Sequence, residues 1–199
     1  MNHRISHART RQALRLAAGI VICTVAACGP RLKSETAVAA VPASTARAAV
    51  IAADEGERRF LRGGTAPLLI KIDPVTMGSQ RLVLGSSDLP PGDAIGAHRH
   101  LREDEIIIIL GGTARVRLGT TDYTATTGGS VFIPQGTCIT VTNIGADTLR
   151  NMFIFSSPGF EEVLRAVSTA PGEAPHRLTP AERAAAFHRG HAEAAPGDC

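Results

Sequence analysis

Residues 92–112 read GDAIGAHRHLREDEIIIILGG, and the fold follows from this stretch. His98 and His100 stand two apart, so on a β-strand both imidazoles leave the same face of the sheet. Glu105 follows, directly before the apolar run Ile106 to Leu110, so three side chains able to bind a metal ion fall within eight residues. On the strand that Glu105 opens, Ile107 and Ile109 share its face while Ile106, Ile108 and Leu110 take the other. Both faces are apolar, which predicts a strand buried on both sides.

A second stretch, GGSVFIPQGTCITVTN at 128–143, completes the pattern. The spacing G-x5-H-x-H-x4-E-x6-G, from Gly92 through His98, His100 and Glu105 to Gly112, matches the first motif of the cupin family at every position. Gly128, Pro134, Gly136 and Asn143 fit four of the five fixed places of that family's second motif. The remaining place, a metal-ligating His in cupins, holds Ile139 here. The chain thus resembles small single-domain bacterial cupins of the quercetin-dioxygenase-like kind. The resemblance implies an all-β fold, the cupin double-stranded β-helix or jelly-roll barrel, with a minor C-terminal helix. It also implies a divalent transition metal (Fe, Mn, Ni or Zn) held by His98, His100 and Glu105, with the usual fourth ligand missing.

Imidazole and carboxylate donors suit such ions, and two His with one carboxylate leave coordination positions open. Cys138 adjoins Ile139, but neighbouring strand residues face opposite ways, so Cys138 would replace the absent His only through a bulge.

Composition agrees with a β domain. Twenty Gly, twelve Pro and no Trp, with Val, Ile and Thr in short runs, favour many strands and turns. Runs at 68–72, 81–84, 106–110, 114–118, 123–126, 130–133, 139–143 and 149–156 each read as a strand, and 159–166 reads as a short closing helix. The Gly pairs at 111–112 and 128–129 read as turns. Phe132, Met152, Phe153 and Phe155 are candidates for a pocket lining, with core packing the commoner role.

The net charge of +3 is set by the N-terminus. Residues 1–27 hold four Arg and no acid, and the remainder carries 17 basic and 18 acidic residues. No basic stripe for nucleic acid is present.

Four domains follow. Residues 1–27 have a charged n-region and an apolar stretch too short to span a bilayer, a secretory signal. It ends in Val25-Ala26-Ala27-Cys28, which resembles the lipobox of bacterial lipoproteins. That likeness implies lipidation of Cys28, with Gly29 implying sorting to the outer membrane on its periplasmic side. The membrane would be a partner through the lipid anchor only. Residues 28–50 read as a flexible linker, 51–166 as the cupin domain, and 167–199 as a tail with a short surface helix after the capping box Thr179-Pro180-Ala181-Glu182. His188 and His191 share a face of that helix and read as solvated. Cys138 and Cys199 allow one disulfide, and sequence leaves the pairing open.

The function these readings imply is an envelope cupin that binds a divalent metal and a small organic molecule, acting as an oxygenase or isomerase. The alternative is a non-catalytic binding or sensing cupin with a degenerate metal site. Beyond the ligands no proton-transfer group stands out, since Glu103 and Asp104 are expected to point away, and the homodimer common among cupins is left open. Cys28→Ser is expected to move the protein from the membrane to the soluble fraction on fractionation, and mass spectrometry should find a lipidated Cys28 at the mature N-terminus of the parent.

Overall fold

A computed structural model describes residues 46–175, 177–194 and 199. The signal at 1–27, the lipidation site Cys28 and all of the linker but its last five residues lie outside the described residues.

Two antiparallel sheets face each other. The first runs in the order β1 (Glu57–Leu61), β2 (Ala66–Ile72), β3 (Val83–Leu89), β10 (Leu149–Phe155), β5 (Glu105–Gly111), β8 (Ser130–Ile133). The second runs β11 (Ala192–Ala194), β4 (Ala94–His100), β9 (Cys138–Asn143), β6 (Thr113–Leu118), β7 (Thr121–Thr126). This is a jelly-roll barrel with two short helices, α1 (Phe160–Val167) and α2 (Pro180–Arg189). Among the described residues no helix is long and apolar enough to cross a membrane.

Strand alternation places the core. Leu89, Ile107, Ile109, Val116, Ile139 and Val141 are among the buried side chains of one apolar cluster that draws on both sheets. A second cluster joins Leu68, Val83, Phe153 and Phe155 of the strands to Phe160 and Val163 of α1 and Phe187 of α2.

β5 departs from expectation. Its inward residues are buried, but Ile106 and Leu110 on the other face are 38% and 50% exposed, so this strand is covered on one side only. Phe132, which pairs with Ile106 across the sheet, is likewise exposed, and Met152 is half-buried on the same outer face.

The two motifs meet because β4 pairs with β9, with His98 opposite Ile139. The turns at either end of this pairing use the motif glycines. They are Gly92, whose N–H donates to the Asn143 carbonyl, and Gly136, whose N–H donates to the His100 carbonyl. Gly112, between β5 and β6, has φ of +88°, and a Cβ there would come within 3.0 Å of the Thr148 carbonyl and the Leu149 Cα. Asn143 is buried with its amide satisfied: Nδ2 donates to the carbonyls of Leu89 and Asp147, and Oδ1 accepts from the Gly145 N–H.

Both helices are tied to the barrel. Arg165 of α1 donates to Glu57 on β1 at 2.6 Å and to the fully buried Asp73 after β2 at 2.5 Å. Burial alone would raise the Asp73 carboxyl, but hydrogen bonds from Thr76 and Arg165 outweigh it and hold the pKa low. The expected capping box opens α2: Thr179 Oγ1 accepts from the Glu182 N–H, and the Glu182 carboxylate accepts from the Thr179 N–H. The helix is a surface helix on most of its circumference, yet Ala186 and Phe187 are buried. At its end a Cβ on Gly190 would lie 2.4 Å from Val163 Cγ2, so glycine there permits the close approach of α1 and α2.

The chain then returns to the barrel. β11 pairs with the free edge of β4, setting Ala192 opposite His100 and Ala194 opposite His98. Cys199 forms a disulfide with Cys138 at the start of β9, with Cα atoms 5.4 Å apart and a sequence separation of 61. Loop closure over that length corresponds to about 4 kcal/mol. Cys138→Ser should therefore lower unfolding free energy by about 2–5 kcal/mol in denaturant titration, and an unchanged midpoint would show that the bond carries no such weight.

Candidate metal centre and adjoining cavity

His98 and His100 come from the last three residues of β4, and Glu105 from the first of β5. Register between β4 and β9 shifts between Ile95 and His98, with one extra residue on β4 at Gly96 and Ala97. The bulge puts both Ile95 and His98 opposite inward residues of β9, Val141 and Ile139, and so aims His98 into the barrel.

The structure brings the three expected donors together. One ligand atom from each of His98, His100 and Glu105 lies within 4.8 Å of the others, and all three residues are buried. Ile139 is 1% exposed and part of the apolar core, so the fourth place of the motif is aliphatic packing. Cys138 sits opposite Arg99 and is spent in the disulfide. His188 and His191 join no group of three ligands among the described residues.

The tautomer of His98 follows from its partner. Nδ1 lies 2.8 Å from the Gly96 carbonyl, which can only accept, so Nδ1 carries the proton and Nε2 keeps its lone pair. Burial first, then the neighbouring His100, push the His98 pKa down to about 4. A neutral imidazole with a free Nε2 is the form that ligates a metal.

His100 is held differently. Its Nδ1 is 3.2 Å from Glu103 Oε1 and its Nε2 is 3.2 Å from Glu105 Oε2. Burial disfavours its charge, but the hydrogen bonds and negative charges of both carboxylates prevail and raise its pKa to about 9.

Glu103 corrects the sequence reading. It is not turned away but fully buried, and its Oε2 has no hydrogen-bond partner. The short loop after β4 explains this: the Asp104 N–H donates to Ser156 Oγ, and Asp104 Oδ1 accepts from the Gln135 N–H. With Asp104 pinned outward, its neighbour is turned in. The run of three acids in REDE was the available signal, but alternation does not extend through a loop.

Aromatic rings close over the imidazoles. Phe160 stacks on His98 with ring centroids 5.2 Å apart and meets His100 edge-on at 4.3 Å, while Phe155 lies 5.1 Å from His100. Of the four residues expected near a pocket only Phe155 touches the imidazoles directly. Phe160 and Phe187 were not anticipated there, because they come from helices outside the motifs.

His98 also lines a cavity of about 830 Å³. Its walls include Leu89, Ile95 and Gly96 of the barrel, Phe160 and Val163 of α1, and Phe187 of α2.

Residues 85–155 match the cupin domain family. The fold is the cupin jelly roll. Solved structures similar to the chain include a predicted oxalate decarboxylase from Thermotoga maritima, at 22% identity and TM-score 0.49, covering 55% of this chain and 99% of that one. KdgF from Halomonas sp. is 16% identical with TM-score 0.47, covering 55% of this chain and 94% of its own. An RmlC-like cupin from Shewanella frigidimarina is 15% identical with TM-score 0.46, covering 55% and 92%. No curated protein sequence matches the chain.

The two imidazoles give the cupin barrel opposite pH dependences in metal-stripped protein. His100, raised to about 9 from 6.5, adds stability that is complete below pH 6.5 and lost as pH rises through about 9. His98, lowered to about 4 from 6.5, removes stability as pH falls from 6.5 toward 4. Melting temperature in chelator should therefore fall on both sides of about pH 6.5, and His100→Gln should flatten the alkaline side. An alkaline limb unchanged in the variant would contradict the assignment.

Proposed function

We propose that the chain is a metal-binding cupin in which His98, His100 and Glu105 hold a divalent transition metal, Fe, Mn, Ni or Zn, beside a cavity for a small organic molecule. The observation that carries this reading is the buried convergence of three donor atoms within 4.8 Å, one of them a neutral imidazole with its free nitrogen fixed by the Gly96 carbonyl. The donor chemistry fits such an ion, and the unpartnered Glu103 Oε2 supplies further buried negative character next to it. In this reading Glu103 keeps the proton on His100 Nδ1 and so turns Nε2 to the ion.

When bound, the ion supplies Lewis acidity and, for Fe or Mn, redox capacity. His98 and Phe160 shape the wall that a ligand would meet. The cavity lining contains no Asp, Glu, Tyr or Cys among the described residues, and Glu103 is not part of it. That favours ligand binding or sensing over a reaction needing a side-chain proton shuttle. Turnover as an oxygenase or isomerase is the second reading, supported by a three-ligand set that leaves coordination positions for substrate or oxygen.

The proposed place of action is the periplasmic side of the outer membrane, through lipid on Cys28. The support is the charged n-region and the small residues before that Cys.

Isothermal titration of the full chain with Fe, Mn, Ni and Zn tests the centre. His98→Ala should lose more affinity than the roughly 10–100-fold typical of losing an outer hydrogen-bond partner, and Glu103→Gln should fall within that range. Ile139→His, which adds a fourth nitrogen opposite His98, should tighten binding while costing the metal-free protein about 1–3 kcal/mol for a polar group in an apolar cluster. Strong binding that survives His98→Ala would overturn the assignment.

A further inference from the structure

We propose that the cavity beside His98 takes a small organic acid, its apolar body against α1 and α2 and its anionic group on Arg177 and Arg183. The inference rests on the reading of the cavity as the ligand site of the metal centre and names the class of molecule that enters it.

Size and lining carry the first half. About 830 Å³ is within the range of small-molecule sites, and the walls are mostly aliphatic and aromatic, with Leu89, Ile95, Val163 and Leu164 beside Phe160 and Phe187. A Cβ at Gly96, which also lines the space, would meet no atom within 4 Å. The strand is thus kept bare where a ligand would lie against it.

Charge carries the second half. Arg177, just before α2, and Arg183, on α2, both line the cavity, and among the described residues no carboxylate does. Arg183 lies with its guanidinium carbon 5.0 Å from the centroid of the Phe187 ring, which directs it along the cavity wall. Two guanidinium forks over an apolar chamber match an anion that offers two or more oxygens, a carboxylate or a phosphate monoester, on an apolar group.

Arg177 and Arg183 come from α2 and the segment before it, whereas His98 comes from β4 of the barrel. The specificity element lies in the C-terminal segment, outside the matched family region at 85–155.

Titration of the full chain with 1-naphthoate, 1-naphthyl phosphate and the neutral 1-naphthamide tests this, in metal-stripped and metal-loaded protein. At least one acid should bind about tenfold or more tighter than the amide, as a charge-assisted pair implies, and the combined Arg177→Gln and Arg183→Gln substitutions should abolish that difference. The better of the two acids assigns carboxylate or phosphate. Gly96→Leu should weaken all three probes alike by filling the cavity. Equal binding of acid and amide, no binding by either acid, or an acid affinity untouched by the arginine or Gly96 variants overturns the proposal. Arginine-dependent binding in a protein that takes up no metal leaves the cavity assignment standing and removes the metal centre, while metal binding without acid preference does the reverse.

Discussion

His100, clamped between Glu103 and Glu105 in a space lined by phenylalanines, is the constraint on which the site depends. A buried imidazole with a carboxylate on each nitrogen is tolerable only where charge and hydrogen bonds are balanced, since burial strongly penalises an uncompensated charge. The two carboxylates bring two formal negative charges, and a single imidazolium answers only one of them. A dication taking the place of the His100 Nε2 proton would answer both. Glu103 Oε2, buried with no partner, is the residue of that imbalance.

The barrel does not present this cluster by itself. β4, which carries both histidines, has β9 on one edge and β11 on the other, and Phe187 of α2 and Ala192 of β11 pack in the same apolar cluster. Gly190 lets the two helices approach, the Arg165 contacts with Glu57 and Asp73 fix α1, and the Cys138–Cys199 bond joins the end of the chain to the strand facing His98. The C-terminal segment therefore both covers the imidazoles and supplies the cationic wall of the cavity.

Much of this was legible in the motifs, and for a physical reason. Gly92, Gly112, Gly128 and Gly136 all have positive φ, so their spacing reports backbone geometry that other residues adopt with strain, and the strands between them follow. His98, His100, Glu105 and Ile139 fell on the inner face as period-two reading requires. The inward turn of Glu103 was not legible, because it is set by the Ser156 and Gln135 contacts of Asp104, residues distant in sequence. Nor was the open outer face of β5, since Ile106 and Leu110 read as buried on hydrophobicity alone. Phe160, Phe187 and the arginines reach the site through tertiary packing of the two helices, which local pattern does not encode.

The most direct measurement of the central claim is an anomalous difference map at the manganese absorption edge, from crystals of the full chain grown with Mn. The account predicts a strong peak within bonding distance of His98 Nε2, His100 Nε2 and the Glu105 carboxylate, with Glu103 still hydrogen-bonded to His100 Nδ1. A map with no peak at that place, or with its strongest peak at His188 of α2 and His191 just beyond the helix, would contradict it.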